Sequence, residues 1–315
     1  MTVVTIKIMK SLTPIVLFVY KRPEHTKRVL KSLSQCNMSN ESTLIIYADG
    51  PKENASSDEL NLIKEVRLII KEVNWCKELR IIERESNIGL DPNVIDGVTK
   101  VVNEFGKVIV LEDDLVCHPM FLEYMNFCLV EYKNNDMVMG VSGFSYFNDN
   151  TLPSIFLLPI VNSWGWAIWK DNWNNLQLDS NFLIEKISDY KINAKKINFP
   201  GYDYFSILKT LNNSNKDPWD IRVYLNLFLN NKYYIYPNST LIRNFGFDGT
   251  GVHCGDAGYD FDNDFVDYSI NKIQLSYYPK IEDKIKFIIN SKKEMVIVTI
   301  FNKFKGFLYR FLVKK

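Results

Sequence analysis

Lys107-Val-Ile-Val-Leu-Glu-Asp-Asp-Leu115 places an unbroken apolar run directly before three acids, Glu112, Asp113 and Asp114. A short continuous apolar run of this kind suits a parallel strand covered on both faces. The C-terminal ends of such strands open into the cleft where α/β sheets hold their ligands. Three adjacent carboxylates repel one another, so they are either solvated as an acidic turn or gathered around a cation. Hard oxygen ligands suit Mg²⁺ or Mn²⁺, ions that commonly carry substrate phosphates.

Working back toward the N-terminus, the same rhythm repeats. Pro14–Tyr20 reads as a strand and Glu24–Ser34 as a helix, with Pro23 near its start. Thr43–Ala48 is a second strand, closed by the turn signal Asp49-Gly50-Pro51. Ser57–Val73 carries Leu60, Ile63, Val66 and Ile70 at amphipathic helical spacing. Leu79–Arg84 is a third strand and Pro92–Glu104 a helix leading into Lys107–Leu111. This alternation predicts an α/β fold with a parallel sheet wrapped by helices.

Toward the C-terminus the pattern loosens. Met120–Tyr132 reads as a helix, Met137–Phe144 as a strand, Trp219–Leu229 as an aromatic helix and Tyr233–Tyr236 as a strand. Asn162-Ser-Trp-Gly-Trp-Ala-Ile-Trp-Lys170 concentrates tryptophan; it either meets sugar rings or packs as a buried helix on the sheet. Phe247–Asp264 is rich in Gly and Asp and reads as a long loop, a length usually tied to function or motion. In the tail, Phe301, Phe304, Phe307, Leu308 and Phe311 share a helical side among lysines and arginine. A basic amphipathic helix either lies on an anionic membrane surface or packs on the protein.

A chain of 315 residues suits one large α/β domain or two smaller ones. A net charge of +1 provides no global field for nucleic acid. Cys36, Cys76, Cys117, Cys128 and Cys254 are odd in number and lack CxxC spacing, which predicts a reducing compartment without a disulfide framework. The apolar N-terminal stretch has the length of a strand, and no run reaches the ~18 apolar residues of a membrane span. The expected location is cytoplasmic, with the tail available for contact at the inner face of the cell membrane.

Candidate site residues cluster at the predicted strand ends. Arg22, after the first strand, has the bidentate fork that holds a diphosphate. Asp49, after the second, either accepts a hydrogen bond from a nucleobase or simply forms the turn before Gly50. Asn87, in Ser86-Asn-Ile-Gly-Leu-Asp91, follows the third strand and can shape a nucleotide pocket. The acidic triplet follows the fourth.

The segments Val16–Leu33, Ile46–Pro51, Val108–Phe121, Gly140–Phe144, Ser163–Trp169, Trp219–Arg222 and Tyr236–Gly251 together resemble a nucleotide-sugar glycosyltransferase of the GT-A fold. The likeness is to the N-acetylglucosaminyltransferase I type and to bacterial polysaccharide-building, family 2-like relatives. Glu112-Asp113-Asp114 is similar to that family's DxD motif, and Trp164–Trp169 and Arg243-Asn-Phe-Gly246 are the more discriminating parts. The resemblance implies a GT-A domain over residues 1–265, with a nucleotide-binding half at about 12–116 and an acceptor half at about 117–265. Residues 266–315 then form a basic C-terminal extension.

Roles follow from the resemblance. Asp114 binds Mn²⁺ or Mg²⁺ directly, and Asp113 and Glu112 act through metal-bound water or the sugar nucleotide. Asp49 reads uracil, and Arg22 and Asn87 complete the nucleotide contacts. Asp220 falls at the catalytic base; Ile221 stands where the family often has a second acid, which leaves Asp217 as a fallback. Trp164, Gly165 and Trp166 lie toward donor or acceptor sugar. His253 either completes the metal shell or is a surface-loop histidine. The implied activity is inverting transfer from a UDP-sugar to a saccharide acceptor, lipid-linked or free, in surface polysaccharide synthesis. A nucleotidyltransferase making an activated sugar is the alternative enzyme, but Lys21-Arg22-Pro23-Glu24 lacks the glycine-rich phosphate loop it needs. A non-catalytic nucleotide- or sugar-binding relative is the third reading.

Overall fold

Side chains of Ile15–Val19 alternate between two apolar cores, so this strand is buried along its whole length. The computed structural model describes residues 11–189, 194–200, 202–211, 218–250 and 264–291. In order, the first half comprises β1 (Ile15–Val19), α1 (Pro23–Ser34), β2 (Thr43–Ala48), α2 (Ser57–Lys71), β3 (Glu78–Glu83), α3 (Leu90–Phe105) and β4 (Lys107–Glu112). These four strands pair in parallel in the order β3-β2-β1-β4. The local signals explain the helices. Pro23 starts α1, a Ser56–Glu59 capping box starts α2, and Gly106 at φ 79° ends α3.

The second half adds β5 (Leu115–Cys117), α4 (Phe121–Glu131), β6 (Val138–Ser142), β7 (Ile155–Leu158), β8 (Trp166–Trp169) and α5 (Lys170–Asn174). It continues through α6 (Ser180–Asp189), α7 (Ala194–Ile197), α8 (Tyr204–Leu211), α9 (Trp219–Leu229), β9 (Tyr233–Pro237) and β10 (Ile242–Asn244). The sheet grows to eight strands, β3-β2-β1-β4-β8-β6-β9-β7, and β5 pairs separately with β10. The anticipated α/β architecture, a largely parallel sheet flanked by helices, is borne out.

One expectation changes. The tryptophan run packs against the sheet's neighbours as a strand rather than a helix: β8 runs antiparallel between β4 and β6 and is buried throughout. The short apolar run supports either period, and pairing with β4 decides it. Described chain after residue 264 also packs on the main cores. Tyr268 packs edge-on against Tyr124 at 5.9 Å, and residues 279–291 form a helix that buries Ile281, Ile285 and Ile289. The amphipathic stretch from Phe301 onward lies outside the described residues. No described helix is long and apolar enough to cross a membrane.

The two sheet edges differ. Beside β7, Leu157 N–H donates to the Ser276 carbonyl at 3.0 Å, so the chain after residue 264 covers that edge. On the outer side of β3 no described strand pairs, and Glu78, Arg80 and Glu83 line it.

Candidate active site

Pro23 fixes the start of α1, and the N–H and hydroxyl of Thr26 both donate to the Arg22 carbonyl at 2.9 Å. Arg22 is thereby held at the mouth of the cleft beside β4. Its guanidinium spans the acidic turn, donating to both Asp113 oxygens and, at 2.9 Å, to Asp114 Oδ2. Asp113 and Asp114 are buried, 5% and 8% exposed. Burial works against the charge on Arg22, but Asp113 and then Asp114 hold it more firmly protonated than usual. Arg22 Nη1 is buried and, among the described residues, has no hydrogen-bond partner.

One guanidinium does not balance this cluster. Burial pushes Asp113 up to about 6 even though Arg22 opposes the shift. Burial, then Asp114 and Asp113, push Glu112 well above the usual carboxylate range, and Asp220 adds in the same direction. The surplus of negative charge and the hard oxygen donors fit a divalent cation held by one or two carboxylates plus substrate phosphates. Among the described residues no group of three His, Cys, Asp or Glu side chains forms a ready-made metal cage. A site that recruits phosphate and water ligands needs no such cage. The unpaired Arg22 Nη1 is a donor suited to a phosphate oxygen.

A third segment closes the cluster from above. β10 pairs with β5, just past the triplet, and Phe245 N–H donates to the Asp114 carbonyl at 2.9 Å. Gly246 lies so close that a Cβ there would collide with the Asp114 carboxylate. His25 Nε2 is 3.2 Å from the Phe245 carbonyl and 3.3 Å from Asp248 Oδ2. His25 and Asp248 therefore belong to this rim; Asp248 opens the loop the sequence marks as functional, whereas His25 carries no such mark. The available signal for His25 was its position one helical turn after Arg22.

Asp49 and Asn87 do come together, but not as anticipated. Asp49 is 5% exposed, and its two oxygens accept from Gly50 N–H (2.9 Å), Ile88 N–H (3.1 Å), Asn87 Nδ2 (2.8 Å) and Gly89 N–H (3.2 Å). Four donors use the acceptor capacity of a carboxylate. In this arrangement Asp49 is an anchor that pins residues 87–89 to the end of β2, rather than an open acceptor for uracil. Gly50 is required there, because a Cβ would stand 2.5 Å from the Ser86 backbone.

Asp220 sits half-buried in the first turn of α9, where Oδ1 accepts Ile221 N–H at 2.9 Å. Its charge reaches Glu112, which ties α9 electrostatically to the acidic turn. The tryptophans divide. Trp166 is 1% exposed and stacks on Trp219 at 4.9 Å and Trp173 at 5.8 Å, so its anticipated contact with sugar is replaced by a core role. Trp164 is half-buried and meets Phe144 at 4.9 Å and Phe247 at 5.6 Å, both edge-on. Gly165 serves packing: it has φ 61°, and a Cβ would lie 2.6 Å from Ile242. His253 and Asp217 lie outside the described residues. Cys36, Cys76, Cys117 and Cys128 are free thiols.

No protein-family model and no curated protein matches the sequence. Among solved structures, the chain is similar to an active-site mutant of LgtC at 11% identity and a TM-score of 0.36, covering 57% of this chain and 65% of that one. It is similar to UDP-glucose pyrophosphorylase complexed with UDP-glucose at 12% identity and a TM-score of 0.35, covering 72% of this chain and 90% of that one. It is also similar to TarS of S. aureus at 13% identity and a TM-score of 0.36, covering 72% of this chain but 36% of that one.

Proposed function

We propose that this protein is a metal-dependent, inverting glycosyltransferase of the GT-A type. It moves a sugar from a UDP-sugar to a saccharide acceptor in bacterial surface polysaccharide synthesis. The observation that carries the reading is the acidic turn after β4, spanned by Arg22, closed by Phe245–Asp248 and within electrostatic reach of Asp220.

Glycosyl transfer needs the leaving nucleoside diphosphate neutralised and an acceptor hydroxyl aligned against the anomeric carbon. Asp114, with Asp113 and Glu112 beside it, holds Mn²⁺ or Mg²⁺, which when bound supplies Lewis-acid stabilisation of the leaving group. Arg22 directs its unpaired Nη1 at the diphosphate. Asn87 and the backbone around Gly89 shape the nucleoside side of the pocket, stiffened by Asp49. Asp220 takes the proton of the attacking hydroxyl as general base. A single displacement at the anomeric carbon requires one base, so the absence of a second acid at Ile221 is no obstacle. Trp164 provides an aromatic wall for sugar.

The test is thermal stability against UDP-, GDP-, dTDP- and CMP-sugars, each with Mn²⁺ and with EDTA. Ligand that binds only the native state raises the melting point by mass action. A rise with a UDP-sugar that EDTA abolishes is the expected result. No rise with any nucleotide would remove the proposal, and pyrophosphate release from a nucleoside triphosphate plus sugar phosphate would replace it with nucleotidyl transfer.

A further inference from the structure

The stretch from the β3–α3 connection into the first turn of α3 is bonded at both ends to elements of the site. At one end Asn87, Ile88 and Gly89 hold Asp49. At the other, Asp91 Oδ1 accepts the backbone N–H of Trp219 at 2.7 Å, across 128 residues of sequence. Trp219 is the first residue of α9, and its ring is 3% exposed, stacked on Trp166. Helix N-termini leave backbone N–H groups without intrahelical partners. Pro218, the N-cap of α9, makes no side-chain cap, so Asp91 satisfies one of these donors from another helix. Asp220 follows immediately.

Resting on the glycosyltransferase reading, we propose that Asp91 is a positioning residue: it fixes the first turn of α9 and thereby the direction of the Asp220 carboxylate. The ring stack restrains Trp219 against β8, but rotation of the backbone about that stack is restrained by the Asp91 bond. Residues 86–91 then act as one strut between the nucleotide pocket and the base. Asp91 touches neither reacting atom, so its removal is expected to lower kcat while leaving donor KM in place.

Backbone amide hydrogen exchange on full-length Asp91→Ala and Asp91→Asn proteins tests this together with steady-state kinetics. In Asp91→Ala, the Trp219 amide exchanges at least tenfold faster than in the wild type, kcat falls 10- to 100-fold, and donor KM changes less than threefold. Asp91→Asn keeps an acceptor oxygen and restores most of the protection and of kcat. Unchanged exchange at Trp219 in Asp91→Ala overturns the proposal, and so does faster exchange with unchanged kcat. The exchange arm needs no donor. A wild type inactive with every sugar nucleotide would therefore sink the functional reading separately from the Asp91 bond.

Discussion

The two halves of the molecule build their share of the site by different means. From β1 to β3 every strand is followed by a helix, β4 runs into the acidic turn, and the site residues stand at strand ends: Arg22, Asp49, Asn87 and the acidic triplet. Each is placed by bonds to neighbouring turns. From β5 onward parallel and antiparallel pairings mix, and the pieces are held by ring stacks and close approaches far apart in sequence, as with Trp166 on Trp219 and Gly165 on Ile242. The first half arranges charge by repeating one unit. The second arranges shape through contacts that no local pattern announces.

The sharpest way to break this comparison is at Asp220, where the second half supplies chemistry to the first. Asp220→Asn is expected to lower kcat about 10³-fold, within the usual range for a general base, with no change in the UDP–Mn²⁺ melting shift. Retained turnover would return Asp220 to a helix first-turn acid. Next comes Asp49. As an anchor it should matter without nucleotide: Asp49→Asn presents an N–H₂ to donors it now accepts, costing about 3 kcal/mol in urea unfolding of the ligand-free protein. Unchanged ligand-free stability with lost UDP binding would restore its role as a base reader.

In the second half, Gly165→Ala sets a methyl against Ile242 at positive φ and should cost about 2 kcal/mol. An unfolding midpoint equal to the wild type would show that Ile242 yields without strain. The smallest effect belongs to Asp149, held down to about 2 by hydrogen bonds first from Lys284 and then from Thr151. A carboxylate lowered on folding adds stability above its unfolded value of 3.8, and that stability is lost as pH falls through about 2. Lys284 is 41% exposed, so screening reduces the contribution. Asp149→Asn should cost about 1 kcal/mol at pH 7, and the gap should shrink between pH 4 and pH 2; a gap constant across that window would refute the ion pair's part in it.

The same contrast separates what local sequence makes legible from what it hides. β1, β2 and β4 were legible because burial on both faces writes a continuous apolar run, and Pro, Ser-Glu and Gly mark the helix ends. The acidic turn was legible because it follows such a run. The role of Asp49 was not, since its partners Asn87–Gly89 lie about forty residues away and the Asp-Gly pair already explains a turn. Trp166 was misread because a tryptophan-rich run of four to six residues fits helix and strand alike, and only pairing with β4 settles its period. The contact of His25 with Asp248 was not legible because it depends on β10 folding back over β5.

The uneven treatment of the two sheet margins bears on how the protein behaves in crowded solution. The β7 margin is capped by the chain's own later segment, so it presents little hydrogen-bonding capacity to a stranger. The β3 margin is uncapped among the described residues, and an exposed strand edge is a template for cross-chain pairing. Glu78, Arg80 and Glu83 put alternating charge along it, with Arg80 joined to Glu78 and Glu104. A second copy docking there would have to strip water from those charges. The charges on the uncapped margin thus work against pairing of one sheet with another.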